Sequence, residues 1–119
     1  PLTEEVNFQN ANLSKTDLRD VNFALIKLIN LKFVRFNVAN LENANLSGLD
    51  LSCCSFVKAN LKGANLENCN LNYVDLTEAN LEDANLKGID LSKIISAASI
   101  RINQNTQVDN RWKDIIGNL

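Results

Sequence analysis

Few side chains in this sequence are of the types that usually carry chemistry. Histidine is absent, so the commonest general base and the commonest metal ligand are both missing. The three cysteines, Cys53, Cys54 and Cys69, are odd in number and two are adjacent, which favours free thiols over a disulfide framework. Only Cys53 is expected to point outward, and no basic side chain is evident beside it that would activate it as a nucleophile.

The other catalytic patterns are missing as well. Without histidine there is no Ser/His/Asp or Cys/His set, and the four glycines are scattered rather than grouped in a phosphate-binding loop. The carboxylates fall at positions predicted to face outward, with no pair in an evident cleft. The sequence therefore predicts a protein that is not an enzyme and that has no catalytic residue, cofactor or metal site.

The sequence is organised as a repeat of five residues. Units run over residues 6–25 and 29–93, separated by residues 26–28, and the 17 units cover 85 of the 119 residues. The middle residue is Leu or Phe in all 17, and the residue before it is Asn or Asp in 15, with Arg35 and Ser55 as the exceptions. The first position of each unit is a small or branched residue, most often Ala.

A period of five fits neither a helix nor a flat strand. On a helix the leucines would spread around the whole circumference, and on a strand successive leucines would alternate between faces. The chain must therefore turn once per unit, so that every middle residue points inward to one axis, and four turns close a coil of about 20 residues. A step of 20 aligns like with like, as in Leu41, Leu61 and Leu81. We predict an all-β solenoid of stacked coils.

The A(D/N)LXX pattern resembles the pentapeptide repeat proteins, and the tail resembles that of small cyanobacterial members. The resemblance implies a right-handed quadrilateral β-helix. We expect a single domain over residues 1–119. Its predicted parts are a first coil at 6–25, an interruption at 26–28, regular repeats at 29–93 and a C-terminal cap region at 94–119.

The last part of the chain is predicted to cap the solenoid. Trp112, Ile115, Ile116 and Leu119 fall at i, i+3, i+4 and i+7, which indicates one face of a short α-helix over about 109–119. Asp109 or Asn110 would be its N-cap. A helix that binds a membrane or a partner is the alternative.

Two further expectations concern the other apolar residues of the cap region and the covering of the first coil. Between the last repeat and the helix, the inward-packing apolar side chains are expected to be those of Ile94, Ile95 and Ile100. At the other end, residues 1–5 contain no recognisable cap. The first coil would be covered by Leu2, by residues that precede this sequence or by a second molecule.

One column of outward positions is apolar. Phe33, Cys53 and Tyr73 align on one corner, with Val38 and Val57 near the next, where the other corners carry Asn, Asp, Gly, Lys and Glu. Such a stripe often marks a contact site. The alternatives are that the interruption loop or the tail covers it, or that the exposure is scattered and without function. A homodimer through this stripe or through the first coil is a further expectation.

The predicted function is that of a non-catalytic structural or protein-interaction module, with a protein as partner rather than nucleic acid or a membrane. One alternative is a DNA mimic that binds gyrase, and another is an adaptor in cyanobacterial signalling or stress response. The net charge is only −2, and the column Glu42–Lys62–Glu82 alternates in sign, which is unlike an acidic DNA mimic.

No apolar run approaches the length of a membrane span, and no signal-peptide pattern is present. We expect a cytoplasmic protein. Because the sequence starts at Pro1, a leader could have been removed, so the periplasm and the thylakoid lumen stay open.

Overall fold

The computed structural model describes residues 5–26 and 28–114, and its regular elements are short. The elements in chain order are β1 (Val6–Asn7), a 3₁₀ helix (Phe23–Leu25), β2 (Ile29–Asn30), β3 (Asn85–Leu86), β4 (Gln107–Val108) and a second 3₁₀ helix (Asn110–Trp112). β1 pairs with β2 and β3 with β4, both in parallel. Isolated parallel bridges account for the rest of the pairing between coils.

The bridges place each residue beside its equivalent in the following coil. In the middle of the chain Asn40 pairs with Asn60 and Asn60 pairs with Asn80, so position i lies beside position i+20. The predicted coil length is therefore found in the structure. Four short sides per coil form, because each unit contributes one paired segment and one turn. The result is a β-helix, with parallel strands stacked along its axis.

The register departs from this spacing at both ends. Val6 pairs with Ile29 and Asn22 with Asn45, so in the first coil position i lies beside i+23, and the additional residues follow the Phe23–Leu25 helix. Near the other end Asp75 pairs with Ser96, which is i to i+21, and the β3–β4 pairing is i to i+22. Parallel pairing thus continues past Lys93, into a segment that the repeat pattern alone does not reveal.

Most corners are four-residue turns with one left-handed residue. The carbonyl of the middle residue accepts the N–H three positions on, as from Ala44 to Leu41 at 3.0 Å. The last residue of the unit, third in the turn, has positive φ in 15 of the 17 units, with Leu25 and Lys93 as the exceptions, and positive φ favours Gly and Asn. The positive-φ residues are Asn10, Lys15, Asp20, Phe33, Val38, Asn43, Gly48, Cys53, Lys58, Gly63, Asn68, Tyr73, Glu78, Asp83, Gly88 and Ser99.

The Asn or Asp of each unit stabilises the turn. Its side-chain oxygen accepts the backbone N–H two residues later, as from Lys62 to Asn60 at 3.1 Å. Fourteen of the fifteen Asn and Asp residues at this position make the bond. A short side chain that bonds its own backbone in this way is an Asx turn, so the repeated Asn has a local structural cause.

The middle residues form one continuous core. Leu41, Leu61 and Leu81 are fully buried, and the rings of Phe36 and Phe56 stack with centroids 4.9 Å apart and planes 5° from parallel. Within residues 5–26 and 28–114, every buried side-chain nitrogen or oxygen atom has a hydrogen-bond partner. Each buried Leu or Phe contributes about 2 kcal/mol of hydrophobic free energy.

The first coil is less buried than the others. Phe8, a middle residue, is 39% exposed, and Leu13 and Leu18 are only partly buried, while Phe23 is buried. Among the described residues these side chains have a neighbouring coil on one side only. The expectation that all middle residues lie inside therefore fails at Phe8, because no coil among the described residues covers its outer side.

Candidate interaction surface

The predicted apolar stripe lies at the surface. Phe33, Val38 and Tyr73 are 47%, 50% and 54% exposed, while Cys53 and Val57 are half-buried. Phe33, Cys53 and Tyr73 stand one above another on one corner. At the next corner the Val38 N–H donates to the Val57 carbonyl at 2.9 Å. The two groups thus border one face of the β-helix. We call these five residues the apolar strip.

The conformation of the strip is one that its residues do not favour. Phe33, Val38, Cys53 and Tyr73 have φ between 60° and 63°. For a residue with a Cβ atom the left-handed region costs roughly 1–2 kcal/mol, and Gly or Asn tolerates it best. A β-branched residue such as Val38 is the least suited to it. The corner turn therefore does not explain the choice of these side chains.

The interruption does not cover the strip with any of its described residues. Leu25 and Leu28, on either side of it, are themselves exposed. The register places them after the fourth side of the first coil, whereas the strip borders the second side. The described residues of the interruption therefore leave the strip open to solvent.

One apolar residue extends the strip in a way that the sequence did not predict. Ile95 is 66% exposed, against the expectation that it packs inward with Ile94 and Ile100. The Ile95 N–H donates to Val74 at 2.8 Å, while Ser96 pairs with Asp75, so two residues lie opposite one. This is the arrangement of a β-bulge, which turns a side chain outward. Ile94 is partly buried and Ile100 is buried, as expected.

The face that the strip borders departs from the repeat in its hydrogen bonds. Arg35 and Ser55 occupy positions where other units have Asn or Asp. Asn37 compensates for the exception at Ser55, because its Oδ1 accepts both the Ser55 hydroxyl and the Val57 N–H, the latter at 3.0 Å. The face is therefore held together without an Asx turn at either exception, and Arg35 is left exposed.

Some charged side chains on this face and its two corners form an ion pair or hydrogen bonds, and others form no ion pair. The Lys58 Nζ lies 3.9 Å from a Glu78 oxygen in the next coil. Asp75 Oδ1 accepts both the backbone N–H and the hydroxyl of Thr77, at 2.9 and 2.6 Å. Arg35 makes no ion pair with any residue in the described part of the chain.

The members of the alternating column Glu42–Lys62–Glu82 form no ion pairs with one another within the described residues. Glu82 pairs with Arg101 at 2.7 Å rather than with Lys62, and Glu42 accepts the side-chain amide of Asn60 at 3.4 Å. Surface pairs of this kind contribute little to stability. Because basic and acidic residues alternate along these columns, these faces have no continuous acidic surface.

The cysteines divide as predicted between inside and outside. The Cys54 thiol donates to the Leu31 carbonyl at 2.9 Å and the Cys69 thiol donates to Leu46 at 2.8 Å. Burial raises the pKa of Cys54 and of Cys69 to about 12, so both stay protonated at neutral pH. All three cysteines are free, and Cys53 lies partly exposed within the strip.

The C-terminal segment contacts the last coil through Trp112. Its indole N–H donates to the Ile89 carbonyl at 2.8 Å, and the Arg111 guanidinium lies 4.5 Å from the ring centre. Elsewhere a carbonyl at this position accepts a backbone N–H from the next coil, as Leu49 accepts from Asn70 at 3.0 Å. The indole therefore takes the place of a further coil at this carbonyl.

The predicted α-helix lies only partly within the described residues. Asn110–Trp112 is a 3₁₀ helix, and Lys113 and Asp114, the last described residues, continue it in helical conformation. Neither predicted N-cap acts as one: Asp109 makes no side-chain cap bond and instead accepts the Gly88 N–H at 3.2 Å. Ile115, Ile116 and Leu119 lie outside the described residues.

Residues 5–26 and 28–114 contain neither a cluster of metal-ligating side chains nor a helix that could span a membrane. In these ranges no three acidic or thiol side chains come together as a metal site. Within the same ranges, none of the helices has the length and apolar character of a membrane span.

The chain matches one protein family. The model of pentapeptide repeats matches in eight copies, over residues 4–24, 29–72 and 59–95. The chain therefore belongs to the pentapeptide repeat family, as its sequence predicted. A comparison with curated protein sequences gave no match.

Several solved structures are similar. A pentapeptide repeat protein from Nostoc PCC 7120 is 27% identical with a TM-score of 0.50, over 83% of this chain and 86% of that one. One from the Arabidopsis thaliana thylakoid lumen is 26% identical with a TM-score of 0.50, over 82% and 66%. Rfr23 from Cyanothece 51142 is 27% identical with a TM-score of 0.44, over 87% and 91%.

The family defines the fold more closely. Its members form right-handed quadrilateral β-helices, and the four-sided coils with i to i+20 register are this architecture. The family match is to a repeat that builds a scaffold, and no catalytic family is indicated.

Proposed function

We propose that this protein is a non-catalytic interaction module that binds a protein partner through the apolar strip. One observation supports the proposal above all: four strip residues have positive φ, where the fold favours Asn or Gly. Strained backbone with exposed aromatic side chains is costly to keep without a use. Buried aromatic residues tend to dominate contact energies, so Phe33 and Tyr73 are the expected anchors.

The β-helix suits this role, because stacked coils hold side chains at fixed spacing. The strip crosses successive coils, which lie about 4.8 Å apart. A partner would therefore meet a preformed surface and little ordering would be needed on this side. Gyrase-directed DNA mimicry is disfavoured by the alternating signs of the charge columns, as in Glu82 beside Arg101. Adaptor roles in signalling or stress are compatible with the proposal.

We also propose that the C-terminal segment closes one end of the β-helix. Trp112 packs against the core and fills the hydrogen-bond position at Ile89. Its role would be to keep a further molecule from pairing with the last coil, since open edges promote association.

The test compares the wild type with F33N/Y73N, in which both residues become Asn, the type found at Asn43 and Asn68. A matched control, E42N/K62N, changes two charged residues on the neighbouring face and keeps the net charge. Each protein is used to capture partners from native extract, and captured proteins are identified and then titrated in purified form. The proposal predicts that F33N/Y73N loses binding and that the control retains it. Equal binding by all three proteins would refute it.

Sedimentation velocity of the same three proteins tests the homodimer alternative. A dimer that dissociates only in F33N/Y73N would identify a second copy as the partner. Loss of folding in F33N/Y73N would show that the strip is internal packing instead.

A further inference from the structure

We infer that the partner segment bound by the apolar strip carries apolar and acidic side chains. This inference rests on the proposed function and adds the chemistry of the partner. It follows from the signs of the charges around the strip and from which of those charged side chains form ion pairs or hydrogen bonds within the protein.

Positive charge is concentrated around the strip. The face between the two corners, together with the corners themselves, carries five basic and two acidic residues. The basic residues are Lys15, Lys32, Arg35, Lys58 and Lys93, and the acidic residues are Asp75 and Glu78. The whole chain has a net charge of −2, so the rest of the surface is acidic by contrast. The strip is therefore bordered by charge of the opposite sign to the chain as a whole.

The two carboxylates are already engaged. Glu78 pairs with Lys58 in the neighbouring coil, and Asp75 accepts two hydrogen bonds from Thr77. Lys15, Arg35 and Lys93 form no ion pair within the described ranges. The charged groups outside ion pairs on this face are therefore these three basic residues and the Asp75 carboxylate, so the net charge open to a partner is positive. Complementary charge favours an acidic partner.

The position of Arg35 strengthens this assignment. It replaces the Asn or Asp that forms the Asx turn in most other units, and its guanidinium makes no ion pair within the described ranges. The fold does not require a guanidinium at this position. An Arg beside exposed aromatic residues is a typical component of a protein contact, because it forms bidentate bonds with carboxylates.

Other occupants fit the charges less well. A second copy would present the same excess of positive charge, so strip-to-strip contact would bring like charges together. An anionic membrane attracts about 1 kcal/mol per basic residue near its surface, and Asp75 and Glu78 on the same face would oppose this. A protein segment can place its carboxylates beside Arg35 and Lys15 and keep them away from these two residues.

The experiment selects binders from a random 12-residue peptide library displayed on phage, at 50 mM salt. The selecting proteins are the wild type and F33N/Y73N. Selected peptides are synthesised and titrated against the wild type, F33N/Y73N and R35N, which restores the common residue of the repeat. Vesicles that contain phosphatidylserine, and sedimentation of the wild type alone, serve as counter-probes.

The inference predicts strip-dependent peptides rich in Asp, Glu and large apolar residues. R35N should weaken them about three- to ten-fold, and 300 mM salt should weaken them further. Strip-dependent peptides that are neutral or basic would overturn the inference and leave the proposed function standing. Failure to select any strip-dependent peptide would overturn both. Strip-dependent binding to vesicles, or self-association of the wild type, would overturn the inference and assign the face to a membrane or to a second copy.

Discussion

Two corners of the β-helix have the same backbone and different side chains. On one corner Phe33, Cys53 and Tyr73 have φ of 60°, 63° and 61°. On another, Asn43, Gly63 and Asp83 have φ of 59°, 70° and 61°. The second corner has the residues that a left-handed conformation favours, and the first does not. The comparison separates what the fold requires from what a contact with another molecule would require.

The largest contrast expected is between the inside and the outside of one unit. Leu61→Asp places an unpaired charge in the fully buried core column and should prevent folding. Its neighbour Lys62 is exposed and unpaired among the described residues, so Lys62→Ala should change the free energy of unfolding by less than about 0.5 kcal/mol. Urea denaturation followed by circular dichroism measures both. Similar effects of the two substitutions would mean that the register is wrong.

The closed end of the β-helix should be the next most sensitive region. Trp112→Ala removes a partly buried ring and leaves the Ile89 carbonyl without its indole partner. We expect a loss of about 1–3 kcal/mol in the free energy of unfolding. Trp112→Phe should recover part of the loss, because it restores the ring but not the N–H. Arg111→Ala is the neighbouring control and should have a small effect. An unchanged melting temperature in Trp112→Ala would assign this segment another role.

Much of this organisation could be predicted from the sequence. The coil length, the buried Leu columns and the exposed aromatic corner all follow from the period of five and from the alignment of like residues at a step of 20. The Asx turn also has a simple sequence signal, the Asn or Asp before each middle residue.

The exceptions follow from local changes of register. One extra residue in the last coil turns Ile95 outward, and no pattern in the sequence shows on which side of Ser96 the bulge falls. The exposure of Phe8 depends on the absence of a covering coil among the described residues, which is a property of the fold rather than of the residue. The positive charge around the strip does have a sequence signal, which is the distribution of Lys and Arg among the four faces.

At the strip we expect a smaller change in the free energy of unfolding, and an increase where the core and Trp112 substitutions give a loss. Val38 is β-branched at φ 61°, so Val38→Asn should relieve strain and raise the free energy of unfolding by about 0.5–1 kcal/mol. Lys15→Asn is the control on the same corner, because Lys15 has the same conformation without the branch. Thermal unfolding of both variants provides the measurement. A clear loss of stability in Val38→Asn would show that this side chain packs against the fold.

The smallest effect concerns pH at the other corner. Hydrogen bonds from Asn103 and then from Asn105 lower the pKa of Asp83 below its ordinary value of 3.8. The contribution to stability is complete above the unfolded-state pKa and is lost as pH falls through the lower folded-state pKa. Asp83→Asn should therefore flatten the dependence of stability on pH below about pH 4. An identical acid profile in wild type and variant would contradict the assignment.

The most direct test of the account measures stability and binding in one variant. F33N/V38N/Y73N gives the strip the residue type that its backbone favours. We predict a melting temperature equal to or above that of the wild type, together with loss of strip-dependent peptide binding in a titration. A lower melting temperature with binding retained would contradict the account, because the strip would then serve the fold and not a partner.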